Sequence, residues 1–124
     1  MKTVLVVDDD KSLADALCVE LRSSGLSVVC VNSGKEGFSK TLSHKPSLIV
    51  LDILMPDLDG LKLLKKLRLH KNEYCQNVPV LVLTNLTSGP ALEEAKRLGC
   101  IDYLIKADTS LSKISSIVKQ KISS

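Results

Sequence analysis

The sequence predicts an α/β fold, a doubly wound parallel sheet of five strands with helices on both faces. Three observations predict it. Short, unbroken apolar runs rich in β-branched residues recur along the chain. Without alternation, such runs read as strands buried on both faces. Between them lie segments of helix length with apolar residues at helical spacing, and crossovers of that length force a parallel sheet. Finally, the strands end on polar or charged residues, so chemistry is gathered at one edge.

Taken in order, Val4-Leu5-Val6-Val7 is the first strand, and Asp8-Asp9-Asp10 ends it. A helix is expected over about Lys11 to Ser24, capped by Asp10, with Leu13, Leu17 and Leu21 as its stripe and Gly25 after its end. Ser27–Val31 is the second strand. Ser33 suits the N-cap of a second helix that ends near Lys45, where Pro46 stops it. The third strand ends at Asp52. A third helix runs from Gly60 to about Lys71, with Leu61, Leu64 and Leu67 inward. Lys62, Lys65, Lys66 and Arg68 then read as a solvated face rather than a nucleic-acid site. Val78 to Leu83 is the fourth strand, with Pro79 near its start, and it ends at Thr84. Pro90 suits the first turn of a fourth helix, with Glu93 and Glu94 at its positive end and Gly99 as its stop. Tyr103-Leu104-Ile105 is the fifth strand and Lys106 ends it. The last helix is expected from about Leu111 to Ile122, with Leu111, Ile114, Val118 and Ile122 buried.

Composition bounds the function. The 124 residues make one domain, 1–124, large enough to bury a core without disulfides or structural metal. A net charge of +3, from 17 basic and 14 acidic residues, does not argue for nucleic acid. Only Phe38, Tyr74 and Tyr103 are aromatic, so stacking platforms for single strands are absent. Cys18, Cys30, Cys75 and Cys100 lack Cys-x-x-Cys spacing and have no neighbouring histidine, which disfavours zinc. They read as four reduced thiols, and with no signal peptide, long apolar span or lipidation motif the expected location is the cytoplasm, away from membranes.

The chain is organised around Ser47–Gly60, where an apolar strand stops on Asp52 and a Met-Pro-Asp turn follows. The bland reading is that Asp52 only caps that turn. The other strand ends argue for more. Asp8 and Asp9, Asp52, Thr84 and Lys106 would share one edge of the sheet, near the switch in strand order. Three carboxylates there cannot all ionise without a counter-charge, and oxygen-only ligands favour Mg²⁺. Asp52 could then attack a phosphorus atom and form an acyl phosphate. Thr84 and Lys106 would hold the phosphoryl oxygens.

The runs Val-Val-Asp-Asp-Asp, Leu-Asp-Ile-Leu-Met-Pro-Asp-Leu-Asp-Gly, Val-Leu-Thr-Asn and Gly-Cys-Ile-Asp-Tyr-Leu-Ile-Lys stand in this order along the whole chain. In them the sequence resembles a response-regulator receiver domain of the CheY-like kind, in two-component phosphorelay signalling. The resemblance implies a flavodoxin-like (βα)5 fold with strand order 2-1-3-4-5. It implies that Asp52 accepts phosphate from a histidine kinase or histidine phosphotransfer protein. It implies Mg²⁺ at Asp8, Asp9 and Asp52, with the Leu54 backbone carbonyl as a further ligand. Thr84 and Tyr103 would be a switch pair, and the face of the fourth helix, fifth strand and fifth helix would bind a downstream protein or effector domain. A homodimer formed on phosphorylation also fits this pattern, as does a signalling switch whose only catalysis is its own phosphorylation and dephosphorylation.

Two positions depart from the family. Ala107 follows Lys106 where Pro is frequent, and Asn85 follows Thr84 where a small residue is favoured. A non-proline cis peptide costs about 2.5–4 kcal/mol, so the Lys106–Ala107 bond is expected trans. Leu54, Asn85 and Leu86 would line the approach of water to the phosphorylated Asp52. Asn85 could shield that path or orient the water there.

Rival readings are weaker. A haloacid-dehalogenase-like phosphatase shares a strand-end Asp, a Thr and a Lys, and Asp8-x-Asp10 mimics its motif, but only Asp108 follows Lys106 as an acidic ligand nearby. A degenerate receiver that binds partners without phosphorylation is disfavoured because all five site residues are present. A flavodoxin-like FMN protein would meet phosphate with Asp8-Asp9-Asp10, which repels it. An EF-hand loop with Asp57, Asp59 and Gly60 at its third, fifth and sixth positions would have Lys66, not Glu, at its twelfth.

Overall fold

The computed structural model describes residues 2–123. The apolar runs form β1 (Thr3–Val7), β2 (Ser27–Val31), β3 (Leu48–Leu51), β4 (Val80–Thr84) and β5 (Asp102–Ile105). The helices are α1 (Lys11–Ser23), α2 (Gly34–His44), α3 (Asp59–Arg68), α4 (Glu73–Asn77), α5 (Pro90–Arg97) and α6 (Leu111–Ser123). Short 3₁₀ turns cover Pro56–Leu58 and Lys106–Asp108.

All strand pairs are parallel, in the order β2-β1-β3-β4-β5 that the resemblance implies. The pleat divides each apolar run between two cores. Leu5 and Val7, Ile49 and Leu51, and Val80 and Val82 pack under α2, α3, α4 and α5. Val4 and Val6, Leu48 and Val50, and Leu81 and Leu83 pack under α1 and α6. Burial on both faces is why these strands show no alternation.

The caps expected from sequence form. The Asp10 side chain accepts from the Leu13 N–H at 3.2 Å, and Ser33 accepts from the Glu36 N–H at 3.2 Å. Each satisfies an orphan donor of a first helical turn.

Two expectations need correction. The third helix stops at Arg68, short of Lys71, and the chain restarts as α4, capped where the Asn72 side chain accepts from the Tyr74 N–H at 2.9 Å. Five residues are fewer than two turns, too short for a legible helical period. Arg68 also leaves the solvated face assigned to it. Its guanidinium donates to the carbonyls of Leu98 at 2.7 Å and Cys75 at 3.1 Å, and more weakly to Gly99 at 3.4 Å. It serves orphan carbonyls where α4 and α5 end. Lys62, Lys65 and Lys66 remain exposed. No helix of the described residues is long and apolar enough to cross a membrane.

Candidate functional site

The site begins with register. Val7 pairs with Leu51, and the ladder continues one step further as the Asp52 N–H donates to the Val7 carbonyl at 3.1 Å. The Asp8 N–H likewise donates to the Val31 carbonyl at 3.1 Å. Asp8 and Asp52 are therefore held by backbone at the ends of adjacent strands. The chain leaves β1 for β2 through α1 and returns to β3 through α2, so the sheet's switch point lies between these two carboxylates. Each is only 4% exposed. Asp9, next along, is exposed, and one oxygen from each of the three lies within 4.8 Å of the others.

Lys106, at the end of β5, reaches across to both buried acids. Its Nζ lies 2.8 Å from Asp8 Oδ2 and 2.7 Å from Asp52 Oδ2. The remaining oxygens take backbone donors: Asp8 Oδ1 accepts from the Asp10 N–H at 2.9 Å, and Asp52 Oδ1 accepts from the Leu54 N–H at 2.8 Å. Asp52 thus does cap its turn, with one oxygen, and the other is engaged in the cluster. Burial pushes the Asp8 carboxyl above its ordinary range even though Lys106 and the Asp10 N–H pull it down. Burial also works against the Lys106 ammonium, but its hydrogen bonds to Asp52 and Asp8 outweigh that and raise its pKa.

The donor set fits a hard dication. Three carboxylates and one ammonium leave two net negative charges, and every candidate ligand atom is oxygen.

The loop after β3 is tightly folded. Asp57 and Leu58 both take left-handed backbone, at φ 58° and 53°, a conformation that non-glycine residues rarely hold. That turn aims Asp59 at the start of α2, where its Oδ2 accepts from the Gly34 N–H at 2.6 Å. Leu54 stands half-exposed beside the carboxylates in sequence.

Thr84 is fully buried at the end of β4, and its Oγ1 accepts from the Leu86 N–H at 3.3 Å. Tyr103 lies two register steps behind the Thr84–Ile105 pair and is 37% exposed. The Lys96 ammonium sits 4.8 Å from its ring centroid. Direct contacts thus join Asp8, Asp52 and Lys106, with Asp9 alongside; Thr84 ends the neighbouring strand, and Tyr103 faces outward.

Asn85 is exposed, and its Oδ1 accepts from the Ala107 N–H at 3.0 Å. The Lys106–Ala107 peptide is trans, as expected. Asn32, which the sequence reading passed over, donates from Nδ2 to the Asp8 carbonyl at 2.9 Å. Its signal was available: a polar residue directly after a strand. Asp59 had a weaker one, because its partner lies 25 residues away.

Residues 4–119 match the family model of the response regulator receiver domain. The chain is 38% identical over 122 residues to a protein-glutamate methylesterase/protein-glutamine glutaminase of Archaeoglobus fulgidus, covering 96% of this chain and 34% of that protein. It is 37% identical over 105 residues to the alkaline phosphatase synthesis transcriptional regulatory protein PhoP of Bacillus subtilis, covering 85% of this chain and 42% of that protein. The chain therefore spans well under half the length of these two relatives. Among solved structures, the Francisella response regulator 1452 receiver domain superposes with a TM-score of 0.84 at 32% identity, over 99% of this chain and 98% of that one. Vibrio cholerae CheY4 superposes with a TM-score of 0.85 at 26% identity, over 97% and 98%. Fold, acidic edge and sequence agree: the chain belongs to the response regulator receiver domain family of two-component systems.

Proposed function

We propose that Asp52 is the phosphoryl acceptor of this receiver domain. The observation that carries the proposal is the single ammonium of Lys106 bridging two buried carboxylates beside a third. A site left two charges negative suits a dication, and it suits an anionic phosphodonor only once that charge is met. Asp8, Asp9, Asp52 and the Leu54 carbonyl would hold Mg²⁺. When bound, the ion supplies charge neutralisation and coordination of phosphoryl oxygens.

The donor is a phosphohistidine on a histidine kinase or phosphotransfer protein. A carboxylate oxygen of Asp52 forms the new bond to phosphorus as the phosphorus–nitrogen bond breaks, and the imidazole leaves with the electron pair. Lys106 holds a phosphoryl oxygen as a point charge, and the Thr84 hydroxyl moves to hold another. Tyr103 then turns inward and the face of α5, β5 and α6 changes its partner, a downstream protein, an effector domain or a second copy. The chain acts as a cytoplasmic switch.

The test is the intact mass after incubation with Mg²⁺ and a small phosphodonor. One phosphoryl group should add to the wild type and none to Asp52→Asn. Equal incorporation in both would sink the assignment, and no incorporation in either would favour a receiver that works without phosphate.

A further inference from the structure

Two residues that flank the site touch each other. Asn85 Oδ1 accepts from the Ala107 N–H at 3.0 Å, across 22 residues of sequence. Asn85 directly follows Thr84, and Ala107 directly follows Lys106. We infer that Asn85 is a positioning residue for Lys106, acting through the Ala107 N–H. The inference rests on the function proposed above for the site.

The orientation of the Asn85 amide is fixed by chemistry. A backbone N–H only donates, so the side-chain oxygen must face Ala107. The Lys106–Ala107 peptide plane turns with the ψ angle of Lys106. Holding its N–H therefore fixes the backbone at the root of the lysine side chain. That root matters because the stem has four rotatable carbons and must deliver Nζ to two carboxylates at once, at 2.7 and 2.8 Å. The 3₁₀ turn is also closed by Thr109, whose N–H reaches the Lys106 carbonyl at 3.4 Å and whose hydroxyl donates to the Ile105 carbonyl at 2.8 Å. Proline at position 107 would have no N–H for Asn85 to accept. Alanine supplies the donor, and asparagine supplies the acceptor.

The same bond has a second consequence. With one Oδ1 lone pair committed to the Ala107 N–H, the amide keeps its second lone pair and its N–H donors for its surroundings. Asn85 therefore ties the loops that follow Thr84 and Lys106 into one unit.

The experiment follows the Lys106 ammonium resonance in ¹⁵N-lysine-labelled, metal-free protein, together with the initial rate of phosphorylation by a small phosphodonor at saturating Mg²⁺. Asn85→Ala should move the Lys106 resonance towards that of exposed lysines. It should slow phosphorylation about fivefold, the loss of one modest hydrogen bond. Asn85→Asp keeps an oxygen at the same place and should restore the Ala107 amide shift and the Lys106 resonance. Asn85 is exposed, so both variants should fold, with amide-shift dispersion as the check. An unmoved Lys106 resonance in Asn85→Ala overturns the inference, even if the rate falls, because the residue would then act on the phosphoryl group directly. An Asn85→Asp variant that behaves like Asn85→Ala overturns it too. Failure of the wild type to accept phosphate defeats the functional reading instead, while the resonance still decides the positioning.

Discussion

Gly60, in the first turn of α3, lies directly against the backbone of Asp52. A Cβ added at Gly60 would stand 1.9 Å from the Asp52 carbonyl oxygen and 2.8 Å from the Ile53 Cα. No side chain can swing aside there, because the obstacle is backbone. The loop between them, 53–59, holds two left-handed residues and closes over this contact. Gly60→Ala should therefore destabilise the domain by about 1–3 kcal/mol, the usual cost of overpacking, and should lower Asp52 phosphorylation at saturating Mg²⁺. Urea denaturation and the phosphorylation rate measure the two effects. A variant as stable and as reactive as the wild type would show that this approach does not position Asp52.

Lys106 is the counter-charge of the metal-free site. Lys106→Met leaves Asp8 and Asp52 facing each other, both buried. The metal-free domain should lose on the order of 3 kcal/mol, as when one partner of a buried pair is removed. Mg²⁺ affinity should rise, because three negative charges then face the ion instead of two, while phosphorylation falls. Thermal unfolding with and without Mg²⁺, and a Mg²⁺ titration, would check this. Weaker Mg²⁺ binding in the variant would contradict the charge argument.

Asp9 and Asp10 are neighbours with different tasks. The Asp10 carboxylate is committed to the Leu13 N–H as the cap of α1, while Asp9 offers an oxygen to the acidic group. Asp10→Ala should cost about 0.5–2 kcal/mol of stability and leave Mg²⁺ affinity nearly unchanged. Asp9→Ala should do the reverse. Calorimetric titration with Mg²⁺ beside denaturant melts separates them, and a larger affinity loss in Asp10→Ala would reverse the assignment.

Thr84 is fully buried, and its hydroxyl accepts from the Leu86 N–H. Thr84→Ala should still accept phosphate at Asp52. Amide-shift changes in α5 and β5 on phosphorylation should shrink, because the hydroxyl supplies the contact that differs between the two states. Undiminished shifts around Tyr103 would remove Thr84 from the switch.

Cys18 gives a pH dependence with a definite sign. Burial, and then the neighbouring Cys30 thiol, push its pKa from 9.0 up to about 12. Between those values the unfolded chain has lost the thiol proton and the folded chain keeps it. Folding then binds the proton more tightly, so this contribution to stability is complete below pH 9 and declines as pH rises towards 12. Cys18→Ala should flatten that part of the alkaline stability curve. In the native wild type Cys18 should resist alkylation near pH 8, well below its pKa, in a timed mass-spectrometric labelling. Rapid modification of Cys18 under native conditions would refute the burial argument.

By itself the sequence determined the strands, the main helices, the caps at Asp10 and Ser33, and which residues end the strands at one edge. These are local matters: apolar runs, helical spacing and punctuation by Gly, Pro and Asp are written within a few residues of each other. That Asp8, Asp9, Asp52, Thr84 and Lys106 belong together followed from topology, since parallel strands all present their carboxyl ends to the same side. Only the tertiary structure decided the partners. Lys106 reaches Asp52 across 54 residues, Asp59 reaches Gly34 across 25, and Arg68 reaches Leu98 across 30. Arg68 and Lys66 look alike in the sequence, as cations on one helix. One meets orphan carbonyls where neighbouring helices end, and the other stays exposed with its ammonium 4.0 Å from the Phe38 ring centroid. A charge carries no periodic signal of its partner, so its place is settled only when distant segments pack and each buried polar group must find what satisfies it.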